Sequence, residues 1–158
     1  MTEHAQQSVA AADLPERGQP LAGGTFFARY WLNGEERALV LLDNELIGSW
    51  GKYGEDVAGA KSLSDGAANT RAMAEAGNDI AVKALELDAH IPSYLEGALL
   101  MAAKSEGLVT LREDRWHWLS SQFSAGYAFN VDFVDGWLDL NVKGDERVAR
   151  PVRSLPIQ

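Results

Sequence analysis

The residues best placed to do chemistry in this 158-residue chain lie close to its C-terminal end. Asn130, Asp132, Asp139 and Asn141, with Trp137 among them, bring two carboxylates, two amides and an indole into one short stretch. Asp135-Gly136 in the middle is a two-residue turn signal of the type I′ class. A turn there sets Asp132 opposite Asp139, Asn130 opposite Asn141, Val134 opposite Trp137 and Phe133 opposite Leu138. Because strand side chains alternate faces, Phe129, Val131, Phe133, Leu138, Leu140 and Val142 then form one apolar side that must be core. The other side carries Asn130, Asp132, Trp137, Asp139 and Asn141. Like charges directly opposite one another destabilise a sheet, so the Asp132/Asp139 pair asks for a reason. One reason is a cation or a hydroxyl-rich ligand held by the carboxylates and amides, with Trp137 as a stacking platform. The other is a solvated acidic face that keeps a sheet edge from pairing. Calcium needs about six or more oxygens and the stretch lacks EF-hand spacing, so no cofactor is expected. Calcium is the one metal this face suggests.

Other constellations fail on spacing. The histidines at 4, 90 and 117 form no pair at metal-ligand distance in sequence. His117 lies between Trp116 and Trp118, so on a strand it points away from both and reads as a packed or surface histidine instead of a general base. Ser120-Ser121 has no Gly-x-Ser-x-Gly context, and the glycines from 48 to 54 lack the Walker and dinucleotide patterns. Glu45, Glu55, Asp56, Glu96 and Glu113 are scattered carboxylates, with nothing in their spacing to pair two of them for glycoside hydrolysis. On a strand Arg147 and Arg153 face one way and Arg150 the other, which favours structural ion pairing over one basic patch.

A formal charge of −9 argues against phosphate-driven nucleic-acid binding and against anionic membrane surfaces. The absence of cysteine excludes disulfides and thiolate metal sites. No apolar run of signal-peptide or membrane-span length appears.

The elements that must position the C-terminal ribbon follow from local signals. Residues 1–23 carry few large apolar side chains and read as an extended arm or linker; residues 24–158 read as one domain. Asn33-Gly34 between apolar runs predicts a hairpin over Thr25–Leu42. Residues 43–61 read as loop. A helix is expected over Ser62–Ala76, capped by Ser62 or Ser64 and ended by Gly77-Asn78. Ile80–Leu87 fits a short strand or a helical turn. Pro92–Lys104 reads as a second helix with Ser93 as a cap candidate and Leu95, Leu99, Leu100 and Ala103 on one face. Everything after Arg115 reads as strand.

Ala68-Asn69-Thr70, Ile91-Pro92-Ser93 with Glu96 and Leu99-Leu100, Trp116-His117-Trp118-Leu119-Ser120-Ser121, Ala128-Phe129, Phe133, Gly136 and the Arg147–Arg153 run stand in an order that resembles the C-terminal domain family of the Legionella collagen-like adhesin, in its phage- and prophage-associated branch. The resemblance covers residues 62 to 155. It implies an α+β, C-type-lectin-like or sulfatase-modifying-factor-like fold, with two helices packed on small twisted antiparallel sheets and variable loops displayed for binding. The chain departs from calcium-dependent lectins in lacking Glu-Pro-Asn and Trp-Asn-Asp signatures.

Together these features predict a non-catalytic binding or decoration module of a phage particle. It would be assembled in the host cytoplasm, held to virion structural proteins or to copies of itself through the N-terminal arm or a sheet edge, and would present the outer hairpin face to a cell-surface glycan or receptor. Two other classes fit the composition: a polysaccharide-acting hydrolase or lyase, which needs two convergent carboxyl groups, and a small acidic inhibitor steered to a host protein by its charge.

Overall fold

The computed structural model describes residues 7–158. Across the described residues the fold is mixed α+β, with three α-helices and two sheets. One sheet is antiparallel, in the order β1 (Pro20–Leu21), β2 (Gly24–Leu32), β3 (Glu35–Leu41), β9 (Val152–Pro156). The other runs β4 (Leu46–Ser49), β8 (Glu146–Ala149), β5 (His117–Gln122), β6 (Tyr127–Asp132), β7 (Trp137–Val142), with β5 and β8 parallel. The helices are α1 (Gly66–Glu75), α2 (Asp79–Glu86) and α3 (Tyr94–Ser105).

Local chemistry accounts for most boundaries. Asn33 and Gly34 both adopt positive φ, as a type I′ turn requires, and β2 pairs with β3 from Leu32↔Glu35 outward. The α1 cap is Asp65, whose carboxylate accepts from the Ala68 amide; Ser62 lies outside the helix and accepts from the Asp65 amide. Ser93 caps α3 in a reciprocal capping box with Glu96, and Pro92 precedes the cap instead of opening the helix.

The stretch Ile80–Leu87, left open between strand and helical turn, is helical as far as Glu86 within α2, a third helix beyond the two expected, which Asn78 caps by accepting from the Ala81 amide and Leu87 closes. Two further expectations are corrected. The loop over 43–61 contains β4, which pairs with β8 from Leu46↔Ala149 to Ser49↔Glu146. The sequence read as an arm is laid on its own domain from Val9 onward. Val9 bridges Ile157, the Gln158 amide donates to the Val9 carbonyl, and β1 pairs with β2. The part of that arm before Gln7 lies outside the described residues.

The five-stranded sheet is a middle layer. On one face Leu119, Val131 and Phe133 pack with Leu100 and Ala103 of α3 and with Phe27, Tyr30 and Leu39 of the four-stranded sheet. On the other, Trp118, Ala128 and Ala149 pack with Trp50, with Met73 of α1 and with Ile80 and Ala84 of α2. The chain passes between sheets at two adjacent points. β8 runs into β9 through Arg150-Pro151, and β3 leaves its sheet at Leu42. The Leu42 amide donates to the Pro151 carbonyl, and the Arg150 guanidinium donates to the Leu42 carbonyl.

The C-terminal hairpin keeps its expected facing but not its register. Asn130 pairs with Asp139, Val131 with Leu138 and Asp132 with Trp137, around a four-residue turn, Phe133–Gly136. Only Gly136 in that turn has positive φ, so the expected two-residue turn is absent. The wider turn forms because its own carboxylates satisfy it: Asp132 accepts from the Val134 amide and Asp135 from the Trp137 amide. The slip is two residues, an even number, so side chains keep their faces. Phe133 is 1 % exposed, with its ring 4.7 Å from that of His117, while Trp137 is 64 % exposed. Truncating Phe133 to Ala should therefore lower unfolding free energy by about 3–5 kcal/mol. Trp137→Ala should stay within about 0.5 kcal/mol; urea titration followed by circular dichroism compares the two.

Candidate functional site

The five residues expected to form a binding face stay on one side of the hairpin but do not make an open surface. Asn130 is fully buried, because β6 is an interior strand with Trp118 of β5 as its neighbour on that side and Asp139 of β7 on the other. Neither polar atom of its amide has a partner among the described residues. Asp132 does not oppose Asp139, so the like-charge pair that asked for a ligand does not exist. Asp139 and Asn141 have a different role. Lys143 donates its amide to the Gly126 carbonyl, and alternation along an antiparallel pair then turns the Leu140 and Val142 amides toward the free edge of β7. The Asp139 carboxylate accepts from Leu140 and the Asn141 amide oxygen from Val142. The edge strand caps its own donors, which blunts it against pairing with another strand. Trp137 stands apart, exposed near the turn. Among the described residues no group of three His, Asp or Glu is placed to hold a metal ion.

The chemistry that folding brings together lies elsewhere, in a cleft of about 810 Å³ between the four-stranded sheet and α1–α2. At its floor is Glu96, at the third position of α3. The Tyr30 hydroxyl, from β2, donates to Glu96 Oε2 at 2.6 Å. His90 Nε2 lies 3.2 and 3.3 Å from the two carboxylate oxygens, and the Ser93 amide donates to Oε1 at 2.8 Å. A relay continues outward, with Ser154 Oγ 3.1 Å from the Tyr30 oxygen and accepting from Arg37 Nε at 2.6 Å. Arg37 also binds Glu35 and the Ser154 carbonyl.

The electrostatics of this floor are those of a held carboxylate. Burial is the largest single influence on Glu96 and pushes its pKa up. The charge of His90 and the hydrogen bonds from His90, Tyr30 and the Ser93 amide together outweigh it, and hold the carboxyl below its ordinary range. Tyr30 is pushed well above its ordinary value by burial and by the adjacent Glu96, so it stays a donor. A general acid for glycosidic bond cleavage needs the reverse, a carboxyl raised toward neutrality.

Sequence spacing contained part of this floor. Ser93-x-x-Glu96 is a capping-box signature, whereas Tyr30, 66 residues distant, carries no local signal. Gly66 fits because a Cβ there would lie 2.7 Å from the Ile91 carbonyl oxygen and 2.8 Å from His90 Cδ2.

A second buried charge was equally invisible. The Lys143 ammonium donates to the Glu55 carbonyl at 2.7 Å and to Gln122 Oε1, and sits 4.7 Å from the Trp50 ring centroid. Burial lowers its pKa, against the pull of Asp56 and Glu55. Gln122 also binds the Val57 amide and carbonyl. The cluster fastens the segment after β4 to β5.

The arginine run is mainly a set of carbonyl clamps. Arg153 donates to the Ala22 and Leu87 carbonyls and Arg150 to that of Leu42, while only Arg147 pairs with a carboxylate, Asp145.

An aromatic cluster also reaches the surface at the β5–β6 turn. Phe129 packs edge-on against Tyr94 and Phe123, with centroids at 5.1 and 5.9 Å, and Tyr127 against Tyr53 at 6.3 Å. Tyr53 is 65 %, Phe123 60 % and Tyr127 40 % exposed. Tyr127 and Phe129 are two apart on β6 and so share a face.

Glu96→Ala, which leaves His90 and Tyr30 facing a vacated acceptor, should cost about 3–5 kcal/mol in urea unfolding. Gly66→Ala should cost more than the roughly 1 kcal/mol of a typical substitution. His117 gives a pH signature. Burial chiefly, opposed by its bond to the Arg115 carbonyl, lowers its pKa to about 4. The unfolded value is about 6.5, so between those values the unfolded chain binds more protons. The contribution is complete above about pH 6.5 and is lost as pH falls toward 4, amounting to about 3 kcal/mol. Equilibrium unfolding across that window should show the slope in the native chain and a flatter profile in His117→Phe.

Comparison with protein-family models, with curated proteins and with solved structures finds no match to this chain.

Proposed function

We propose that this protein is a non-catalytic recognition or decoration module of a phage or prophage particle, its α+β fold arranged in the C-type-lectin-like manner. The observation that carries the reading is the ring cluster of Tyr53, Tyr94, Phe123, Tyr127 and Phe129. Its rings are already ordered against one another, so little conformational entropy is lost when a partner covers them. Exposed contiguous aromatic surface of this kind favours a protein interface. The order of motifs over residues 62–155 supports the particle context.

Attachment is assigned to this cluster and not to the N-terminal arm, because from Val9 the arm is paired with the protein's own C-terminus. The self-capped edge of β7 supports docking through side chains, not through strand addition. Trp137, at the opposite end of the hairpin, is the part of the expected ligand face that stays available to a glycan or receptor. The depressed Glu96 carboxyl supports binding over hydrolysis.

Density-gradient purification of particles from an infected or induced culture tests this. The native protein should band with the particles. The double variant Phe123→Asp, Tyr127→Asp should be lost from them by an amount equivalent to about 2 kcal/mol or more. Trp31→Asp, at an exposed position on β2, should band normally. Absence of the native protein from particles, or equal recovery of the double variant, would overturn the proposal.

A further inference from the structure

The cleft above Glu96 is a separate matter from the ring cluster, and its groups divide into those that are committed and those that are open. Arg37 is committed to Ser154 and Glu35, Arg153 to two carbonyls, and Asp65 to the first turn of α1. Arg71 lines the cleft and makes no hydrogen bond or ion pair among the described residues. His90 lines it too; its Nε2 is held by Glu96, and its Nδ1 has no hydrogen-bond partner among them.

Arg71 and His90 belong to one wall. Thr70 Oγ1 accepts from the Ile91 amide at 3.0 Å, and Gly66 packs against the His90 ring. That contact face of α1 leaves Ala67 and Arg71, one turn apart, on the adjoining face that borders the cleft above His90.

We infer that this cleft binds a small hydroxylated carboxylate of the sugar-acid or hydroxy-acid class, with its carboxylate on Arg71 and a hydroxyl on His90 Nδ1. A guanidinium is a planar fork of donors matched to a carboxylate. A hydroxyl both donates and accepts, so it satisfies Nδ1 whichever protonation state the ring takes. The Glu96 carboxylate fixes the imidazole, so the ligand meets a preorganised ring. Of the four carboxylates that line the cleft, Glu96 is enclosed by donors, Glu35 is paired with Arg37 and Asp65 caps α1, while Asp88, just past the end of α2, has no partner among the described residues. The cleft volume, about 810 Å³, falls within the span usual for small-molecule sites.

Titration of the full-length protein with glucuronate, acetate and glucose, followed by isothermal calorimetry and by histidine NMR resonances, tests the assignment. Glucuronate should bind saturably and shift the His90 resonances. Acetate, which lacks the hydroxyls, and glucose, which lacks the carboxylate, should each bind at least roughly tenfold more weakly. Arg71→Ala, an exposed position that leaves the core intact, should weaken glucuronate by roughly tenfold or more, while Arg29→Ala on β2 should leave it unchanged. His90→Gln should weaken glucuronate toward acetate, and its thermal melt separates lost binding from lost folding. The inference is overturned if glucuronate does not saturate, if acetate or glucose binds as tightly, or if Arg71→Ala binds as the native chain does. None of these outcomes bears on particle association.

Discussion

One buried carboxylate governs how this molecule is assembled. An ionised group at the position of Glu96 could not be tolerated alone, since removing a carboxylate from water costs several kcal/mol even after relaxation. The fold meets that cost by converging Tyr30 from β2, His90 from the segment after α2, and the Ser93 amide at the start of α3 on its two oxygens. His90 is in turn bridged through its backbone to Val152 of β9. Each contact thus fixes one element relative to another. The close seat of Gly66 brings α1 to the same point. The cleft exists because these elements meet below it and diverge above it.

The second organising constraint is the junction between sheets. Two strand connections cross there side by side, and irregular backbone at a packed junction leaves carbonyls in need of donors. Arginine supplies them: Arg150 to Leu42, and Arg153 to Ala22 and Leu87. Burial holds the Arg150 pKa below its ordinary value, the expected consequence of a guanidinium used as a structural donor. Pro151, with no amide hydrogen to satisfy, sits at the crossing itself. Two of the three arginines in that run serve as carbonyl donors, and Arg147 pairs with Asp145.

The C-terminal hairpin separates facing from register. Facing depends on parity, and the alternation of apolar residues from Phe129 to Val142 sets it. Register depends on the turn, where the Asp132 and Asp135 side chains make the four-residue form self-sufficient. The acidic and amide residues that looked like a ligand face are divided by this register into one buried amide, two edge caps and a turn carboxylate. Only Trp137 is left as an open recognition group. The larger aromatic surface forms at the other end of β6, through contacts with Tyr53 and Tyr94 from distant segments.

The sequence by itself determined what depends on neighbours along the chain. It set the Asn33-Gly34 turn, the Ser93 cap, the apolar side of the last hairpin, and the mixed α+β class. It underdetermined α2, too short for its periodicity to tell helix from strand, and β4, whose four residues become a strand only by pairing with β8, about a hundred positions later. The meeting of Tyr30 with Glu96, the Lys143 cluster, the shared wall of Arg71 and His90, and the aromatic surface were decided by tertiary structure alone. Their partners are far apart in sequence, and a buried charge announces itself only through the groups that folding brings to it.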